Sequence, residues 1–352
     1  MYELCFACAQ AGCPVKSTSR PTLYSFRRCP YAMRARWALL NAGLLVEWRE
    51  VDLKSKPLEM TKVSKKGTVP VLVCLDGTVL EESLEIMYWA FEQADPFELM
   101  PISQGERLKE IKALIAKNDG LFKRTLDRFK YTDRYPGESK EEHQKSGLMI
   151  LEEWNKRLED GGWLVGNSMS IADIAIWPFV RQWCNTDPDA FVANSSISLL
   201  KIWLERFTQD PMFERLMIRS KVWQPSMQEM LFPADSAAVP CDQPIFHLAM
   251  DKDWQEAKTK GSYTISTLGM HLKQVGFIHA SWAHQVSSTF ERFYRDSSDL
   301  VLLKIEPSRL NIPLRADAAA NGELFPHLYG PLPIAAISEA TPFVPGVSCR
   351  QL

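Results

Sequence analysis

The sequence lacks the features that would define a membrane, secreted or nucleic-acid-binding protein. Its 352 residues contain no run of 18 apolar residues, which excludes a transmembrane helix. Residues 1–20 lack a charged region followed by an apolar one, so they do not form a secretory signal. The formal net charge is only −2, which argues against nucleic-acid binding and against a basic membrane-binding surface. We therefore expect a cytoplasmic protein whose partners include neither a nucleic acid nor a membrane.

Cysteine is also scarce. The eight cysteines are irregularly spaced and do not form a disulfide framework, so we expect free thiols in a reducing compartment. Cys5, Cys8 and Cys13 form a cluster near the N-terminus, but neither a second C-x-x-C nor a histidine pair completes a metal site. We predict no resident metal, and we interpret residues 1–20 as an N-terminal extension.

What the chain does contain predicts three structural units. Hydrophobic residues at 46% and charged residues at 24% indicate a folded chain, long enough for two or three domains. Residues 22–93 alternate predicted strands and helices, with a hairpin turn at Asp76-Gly77. Helical signals follow, including a capping box at Ser170 and Asp173. The predicted units are an α/β domain over 21–95, an all-α domain over 100–224, a linker over 225–244 and a small α+β domain over 245–345.

Cys29 is the candidate for chemistry in the first unit. It directly precedes Pro30, which predicts a helix start, and Gly43 marks the end of that helix. A thiolate is favoured at a helix N-terminus, so this position suits a nucleophile that ionises near neutral pH. Arg34 and Arg36 are interpreted as part of a solvated helix face. For Cys29 taken alone, an inert buried cysteine is the alternative.

Three separated motifs together resemble the thioredoxin-fold glutathione proteins. Cys29-Pro30-Tyr31-Ala32 is similar to their active-site tetrad, between the C-P-Y-C of glutaredoxins and the C-P-F-A of Omega-class glutathione transferases. Val69-Pro70 resembles the turn that contains the cis-proline, and Glu82-Ser83 resembles the acid–serine pair after the hairpin. The likeness covers about residues 21–224. It implies a thioredoxin-like domain followed by the all-α C-terminal domain of an Omega-like, bacterial-type glutathione transferase.

The resemblance also implies a co-substrate, glutathione, and a set of binding residues. Backbone groups of Val69 would hold the cysteinyl part, Ser83 the γ-glutamyl carboxylate and Glu82 the amino group. The residues implied for glutathione binding are Tyr31, Lys56, Val69, Pro70, Glu82 and Ser83. The residues interpreted as a second-substrate pocket between the domains are Phe122, Lys123, Arg128, Trp177 and Arg181. Core packing is the alternative for the two aromatic residues, and a homodimer is suggested by resemblance only.

The absence of a second cysteine at position 32 favours one mechanism. Ala32 leaves Cys29 without a resolving thiol at C-x-x-C spacing, which disfavours dithiol reduction of protein disulfides. We therefore predict a monothiol cycle in which catalytic Cys29 forms a mixed disulfide with glutathione, as in deglutathionylation or dehydroascorbate-type reduction. A conjugating transferase that uses Tyr24 or Ser25 is one alternative. A non-catalytic scaffold, whose C-terminal domain binds NAD or a partner, is the other.

The third unit resembles a bacterial and plant domain of unknown function. The matching segments are Ile245-Phe246-His247, residues 276–281 and residues 322–332. The first two are also faintly similar to the ADP-ribosyltransferase-type fold of RNA 2′-phosphotransferases, which implies that His247, His279 and Ser281 face an NAD pocket. Metal binding by His247, His279 and His327, or a purely structural role for these histidines, are the alternatives.

Overall fold

The computed structural model describes residues 20–101 and 105–345. The cysteine cluster at Cys5, Cys8 and Cys13 lies outside these residues. Cys29, Cys74, Cys184 and Cys241 are free thiols. Among the helices that the structure describes, none combines the length and the apolar character needed to cross a bilayer.

The first unit is a mixed sheet flanked by helices, as predicted. Its strands are β1 (Thr22–Ser25), β2 (Val46–Glu50), β3 (Val71–Val73) and β4 (Val79–Leu80). Its helices are α1 (Pro30–Asn41), α2 (Leu58–Val63) and α3 (Ser83–Gln93). Strand β1 pairs parallel with β2 and antiparallel with β3, while β4 completes the hairpin with β3. Gly77 adopts φ 86° in the hairpin turn, where glycine avoids the strain of a side chain. The unit is thioredoxin-like.

The second unit is helical. Its helices are α4 (Glu106–Lys117), α5 (Lys123–Lys130), α6 (Lys140–Arg157), α7 (Ile171–Cys184), α8 (Pro188–Ala193), α9 (Ser198–Thr208) and α10 (Pro211–Met217). A π-helical turn over Asn118–Phe122 joins α4 to α5. The predicted capping box begins α7, because the amide and hydroxyl of Ser170 both donate to Asp173 Oδ2 at 2.9 Å.

Helix α1 is covered on both sides. It packs against α3 within its own unit and against α7 and α10 of the helical unit. One apolar core spans this contact, in which Trp37 meets Trp177 with ring centroids 5.0 Å apart. The interpretation of Arg34 and Arg36 as a solvated face is therefore wrong: they are 2% and 0% exposed. A helical repeat alone does not reveal that a second domain covers the far side of the helix.

The third unit consists mostly of strands and has its own apolar cores. Its strands are β7 (Ile245–Met250), β8 (Ser262–Tyr263), β9 (Ile265–Thr267), β10 (Met270–His271), β11 (Ile278–His279), β12 (Leu300–Ile305), β13 (Leu314–Ala318), β14 (Leu324–Leu328), β15 (Leu332–Pro333) and β16 (Ile337–Pro342), numbered after the two strands of the preceding segment. Its helices are α11 (Asp251–Lys260), α12 (Leu272–Val275) and α13 (Val286–Phe293). The unit is α+β, as expected.

Residues 225–244, which the sequence predicts as a linker, contain two short strands, β5 (Leu231–Phe232) and β6 (Ser236–Ala237). Strand β5 pairs antiparallel with β2 of the first unit, and β6 pairs antiparallel with β13 of the third. Further contacts cross the same boundary. Arg215 of α10 donates to Asp317 Oδ1 at 2.6 Å, and Arg315 donates to the carbonyl of Leu44 at 3.2 Å. The third unit is thus attached at several points.

Candidate functional site

Cys29 is the N-cap residue of α1 and lies between two cavities. One cavity of about 790 Å³ lies beside the sheet, and another of about 490 Å³ lies beside α5; we call them the sheet-side and helix-side cavities. Cys29, Tyr31 and Leu53 line both. The sulfur lies 3.7 Å from the carbonyl oxygen of Val69, so the thiol is held at the shared wall. A group bound in either cavity therefore lies close to the same sulfur.

All six residues predicted to bind glutathione line the sheet-side cavity: Tyr31, Lys56, Val69, Pro70, Glu82 and Ser83. The peptide bond between Val69 and Pro70 is cis. Glu82 is the N-cap residue of α3 and shares a capping box with Glu85. It also forms an ion pair with Lys66. The cavity therefore combines several carboxylates, two lysines, an arginine and the first turn of a helix.

Arg34 and Asp119 also line this cavity, although neither is among the residues predicted to bind glutathione. Arg34 Nε donates to the hydroxyl of Ser83 at 2.9 Å, and its two terminal nitrogens each donate to the carboxylate of Asp119 at 2.9 Å. The Ser83 hydroxyl therefore accepts from Arg34 and keeps its own proton for a ligand. Because Asp119 belongs to the helical unit, this bidentate pair also joins the two units beside the cavity.

The environment of Cys29 differs from the expectation of near-neutral ionisation. Burial raises the pKa of the thiol, while hydrogen bonds from the backbone of Ala32 and Tyr31 and the charges of Lys123 and Arg36 partly oppose this. Desolvation outweighs the helix N-terminus because it penalises the thiolate directly. In the chain without substrate Cys29 is thus a protonated thiol, and its proton has to be transferred during any reaction in which the sulfur attacks.

The helix-side cavity contains one of the five residues predicted for a second substrate, Lys123. Phe122 and Trp177 are fully buried in the core, so the packing alternative applies to both. Arg128 instead pairs with Glu138, and Arg181 lies over the ring of Phe213. Residues of the cavity that sequence reasoning missed are Phe26, Arg28, Asp127, Lys130, Tyr131, Arg134 and Tyr135.

The third unit contains a chain of hydrogen bonds from Asp317 through His327 to His279. His327 Nδ1 lies 3.2 Å from Asp317 Oδ2, and His327 Nε2 lies 3.1 Å from His279 Nδ1. Burial opposes ionisation of Asp317, yet hydrogen bonding from His327 and the charges of Arg315 and Arg215 hold its pKa well below the usual range. An ionised Asp317 can only accept, so His327 donates to it and accepts from His279. His279 Nε2 is left as an acceptor without a partner among the described residues.

A cavity of about 380 Å³ adjoins this chain, lined by His279, His327, Asp317 and Arg292 among others. His247 and Ser281 do not line it. His247 donates to the carbonyl of His279 at 2.7 Å, and the Ser281 hydroxyl lies 2.8 Å from that of Thr289. NAD binding by this unit stays a prediction. Of the three residues predicted to face the NAD pocket, His279 lines this cavity. Within residues 20–101 and 105–345, no three His, Cys, Asp or Glu side chains are grouped to hold a metal ion.

We expect acid to destabilise the third unit. Burial lowers the pKa of His247 to about 4 and that of His279 to about 3. In the unfolded chain these histidines have pKa values of about 6.5, so as the pH falls the unfolded chain binds protons before the folded one does. The free energy of unfolding is therefore highest above about pH 6.5 and decreases as the pH falls below it. Thermal denaturation should show a Tm several degrees lower at about pH 5 than at about pH 7. His279→Gln should reduce the change of Tm with pH, whereas the control His284→Gln, at an exposed site, should not. If the two variants showed the same change of Tm with pH, His279 would not be a cause of the acid sensitivity.

The fold and the thiol at a helix N-terminus define a thioredoxin-fold protein with an attached helical domain. Family models agree: residues 23–112 match "Glutathione S-transferase, N-terminal domain", residues 137–208 match "Glutathione S-transferase, C-terminal domain", and residues 248–340 match "Protein of unknown function (DUF952)". The chain belongs to the glutathione S-transferase family and carries a DUF952 domain at its C-terminal side. The co-substrate of this family is glutathione.

Individual relatives agree with this assignment. The chain is 29% identical over 208 residues to glutathione S-transferase omega-1 of Rattus norvegicus, covering 57% of this chain and 82% of the relative. It is 31% identical over 140 residues to glutathione S-transferase GstA of Escherichia coli O157:H7, covering 37% and 67%. A solved glutathione transferase family member from Pseudomonas fluorescens Pf-5, with two glutathione molecules bound, has a TM-score of 0.50 and 21% identity, covering 58% and 95%. This last likeness concerns the fold.

Proposed function

We propose that the protein is a glutathione-dependent thiol transferase with Cys29 as its single nucleophile. The observation that carries this proposal is the position of Cys29 in the wall shared by the two cavities. Ala32 occupies the position at which a resolving cysteine would lie. The other free cysteines among the described residues, Cys74, Cys184 and Cys241, line neither cavity. A one-thiol cycle therefore fits this site better than a dithiol cycle.

In the proposed cycle, a glutathionyl disulfide binds with its glutathione half in the sheet-side cavity. Its other half, R–S, lies in the helix-side cavity. Cys29 Sγ attacks the glutathione sulfur, the disulfide bond breaks, and the proton of Cys29 leaves with the released thiol RSH. Cys29 is then joined to glutathione. A second glutathione attacks the glutathione sulfur of this mixed disulfide, forms glutathione disulfide and gives its proton to Cys29, which restores the thiol.

We assign roles in holding glutathione to the residues of the sheet-side cavity. The hydroxyl of Ser83 and the first amides of α3 would bind the γ-glutamyl carboxylate, since Ser83 keeps a free proton. Glu82 would bind the amino group. Lys56 would pair with the glycine carboxylate, and the backbone of Val69 would bind the cysteinyl part. These contacts would place the glutathione sulfur against Cys29.

The conjugating alternative receives less support from the geometry. Tyr24 and Ser25 are 3% and 0% exposed, and neither lines the sheet-side or the helix-side cavity. The Tyr24 hydroxyl accepts a hydrogen bond from Arg49 at 2.6 Å, and burial raises its pKa. Neither side chain is therefore placed to hold glutathione as a thiolate. A reducing compartment such as the cytoplasm suits the free thiols, and the homodimer stays a prediction.

Mass spectrometry of the oxidised protein tests the proposal. After incubation with glutathione disulfide, we expect one glutathione per chain, on the peptide that contains Cys29, and its release when reduced glutathione is added. Cys74→Ser is the matched control and should be labelled like the wild type, because burial raises the pKa of Cys74 to about 11. Labelling at a different cysteine, or an adduct that glutathione does not release, would contradict the proposed cycle.

A further inference from the structure

The helix-side cavity has an excess of positive charge. Its wall contains Arg28, Lys123, Lys130 and Arg134 but only one carboxylate, that of Asp127. Lys123 forms an ion pair with Asp127 one helical turn away. The three other cations have no carboxylate partner among the residues that the structure describes. This part of the site is therefore suited to a negatively charged group.

Aromatic rings hold these cations at the cavity. The Arg134 guanidinium lies 4.4 Å and the Lys130 ammonium 5.0 Å from the ring centroid of Tyr131. The Arg28 guanidinium lies 5.6 Å from that of Phe26. Tyr131 and Phe26 themselves line the cavity. Cation–π contacts of this kind keep a charge near an aromatic face without neutralising it, so the charges remain available to a ligand.

We propose that the thiol released by Cys29 is an anion: the R half of the preferred glutathionyl disulfide carries a carboxylate, or another negative group, that the three unpaired cations bind. This inference rests on the monothiol cycle proposed above and names its substrate class. The cycle itself supports it, because the second glutathione enters the space that R leaves. Glutathione has two carboxylates and one ammonium group, so the helix-side cavity has to accept a net negative molecule in every turnover.

The three unpaired cations affect both the rate at which a disulfide associates with the protein and the orientation in which it binds. They attract an anionic disulfide from solution and orient its R half away from the sheet-side cavity, which leaves the glutathione sulfur facing Cys29. A cationic R half would instead approach three charges that no neighbouring carboxylate offsets. Since Arg28, Lys130 and Arg134 are exposed, the preference for anions has to weaken as salt increases.

Three glutathione mixed disulfides of similar size test this inference: those with 3-mercaptopropionate, 2-mercaptoethanol and cysteamine, in which R is anionic, neutral and cationic. We expect kcat/KM to fall in that order, by about tenfold between the first and the last at low salt, and by less at high salt. In the double variant Lys130→Gln/Arg134→Gln the ratio of kcat/KM for the anionic disulfide to that for the cationic disulfide should fall several-fold. The charge-matched control is Lys252→Gln/Lys258→Gln, which removes two exposed lysines of α11 and should keep the wild-type ratio.

The outcomes separate the two proposals. If the wild type turns over all three disulfides at equal rates, or if the double variant keeps the full preference for the anion, the assignment of an anionic substrate is wrong while the thiol cycle stands. If none of the three disulfides is reduced at a Cys29-dependent rate, the thiol cycle itself is wrong. A preference that salt does not change would also exclude the exposed cations as its cause.

Discussion

Replacing Cys29 with serine will reduce the turnover of a glutathionyl mixed disulfide by about 10³-fold or more. The serine hydroxyl fits the same N-cap position but cannot exchange with a disulfide, because that chemistry needs a sulfur nucleophile. Folding should be preserved, since Cys29 makes no side-chain hydrogen bond that caps α1. The measurement is glutathione-dependent reduction followed through the glutathione disulfide formed, with circular dichroism to verify the fold.

A second variant, Ser83→Ala, separates a loss of glutathione binding from a loss of the nucleophile. Ser83→Ala removes the hydroxyl that accepts from Arg34 Nε at 2.9 Å and keeps the Cys29 sulfur. We expect it to raise the KM for glutathione about tenfold and to change kcat less, because it affects binding of the co-substrate. If Cys29→Ser retained most of the wild-type rate, the monothiol cycle would be lost. Conjugation through the glutathione thiolate would then become the better account of the site.

Replacing Asp317 with asparagine will destabilise the protein by about 3–5 kcal/mol. Its carboxylate accepts from Arg215, Arg315, Ser236, Tyr329 and His327, and it is 5% exposed. Asparagine keeps the shape but removes the charge and turns one acceptor into a donor. Arg315, which is 1% exposed, then loses its counter-charge, and Arg215 keeps only the exposed carboxylate of Asp235. Chemical denaturation, followed by a spectroscopic probe in the third unit, would measure the decrease in the free energy of unfolding.

Asp235→Asn is the matched control for this variant. Asp235 pairs with the same Arg215 at 2.9 Å, but its side chain is 39% exposed. Water already solvates that carboxylate, so we expect its replacement to cost no more than about 1 kcal/mol. If the two substitutions lowered the free energy of unfolding equally, burial of Asp317 would not determine its contribution to stability. A smaller loss at Asp317 alone would mean that the surrounding donors find other partners.

The sheet-side cavity was predictable from sequence because short motifs determine its shape. The residue before a helix-opening proline, Cys29, and the residue that starts α3, Ser83, both occupy helix N-termini that sequence rules can locate. The helix-side cavity was not predictable in the same way. Lys130 is the last residue of α5, Tyr131 and Arg134 follow it, and only the packing of two domains places them opposite Cys29. A charged residue at a helix end is equally compatible with an exposed surface.

At two other places the structure differs from the sequence-based prediction, and tertiary contacts are again the reason. Arg34 lies on a helix whose pattern does not show that α7 covers its outer side. Strands β5 and β6 have two residues each, too short for alternation to be visible, and they lie among prolines that suggest a flexible connection. Local patterns therefore predicted the elements, and the family resemblance identified residues that line the sheet-side cavity. It did not predict which surfaces meet.

The pairing of β5 with β2 has a consequence for how this protein can be divided. Val46 pairs with Phe232, and the amide of Trp48 donates to the carbonyl of Met230 at 2.7 Å. A chain ending before residue 225 would leave these backbone groups on an open sheet edge, which is a template for pairing between molecules. Strand β5, in the segment before the third unit, thus covers this edge, and we expect it to disfavour strand pairing between molecules there. A shortened transferase should therefore end after β5, at about residue 233, because β6 would lose its partner β13.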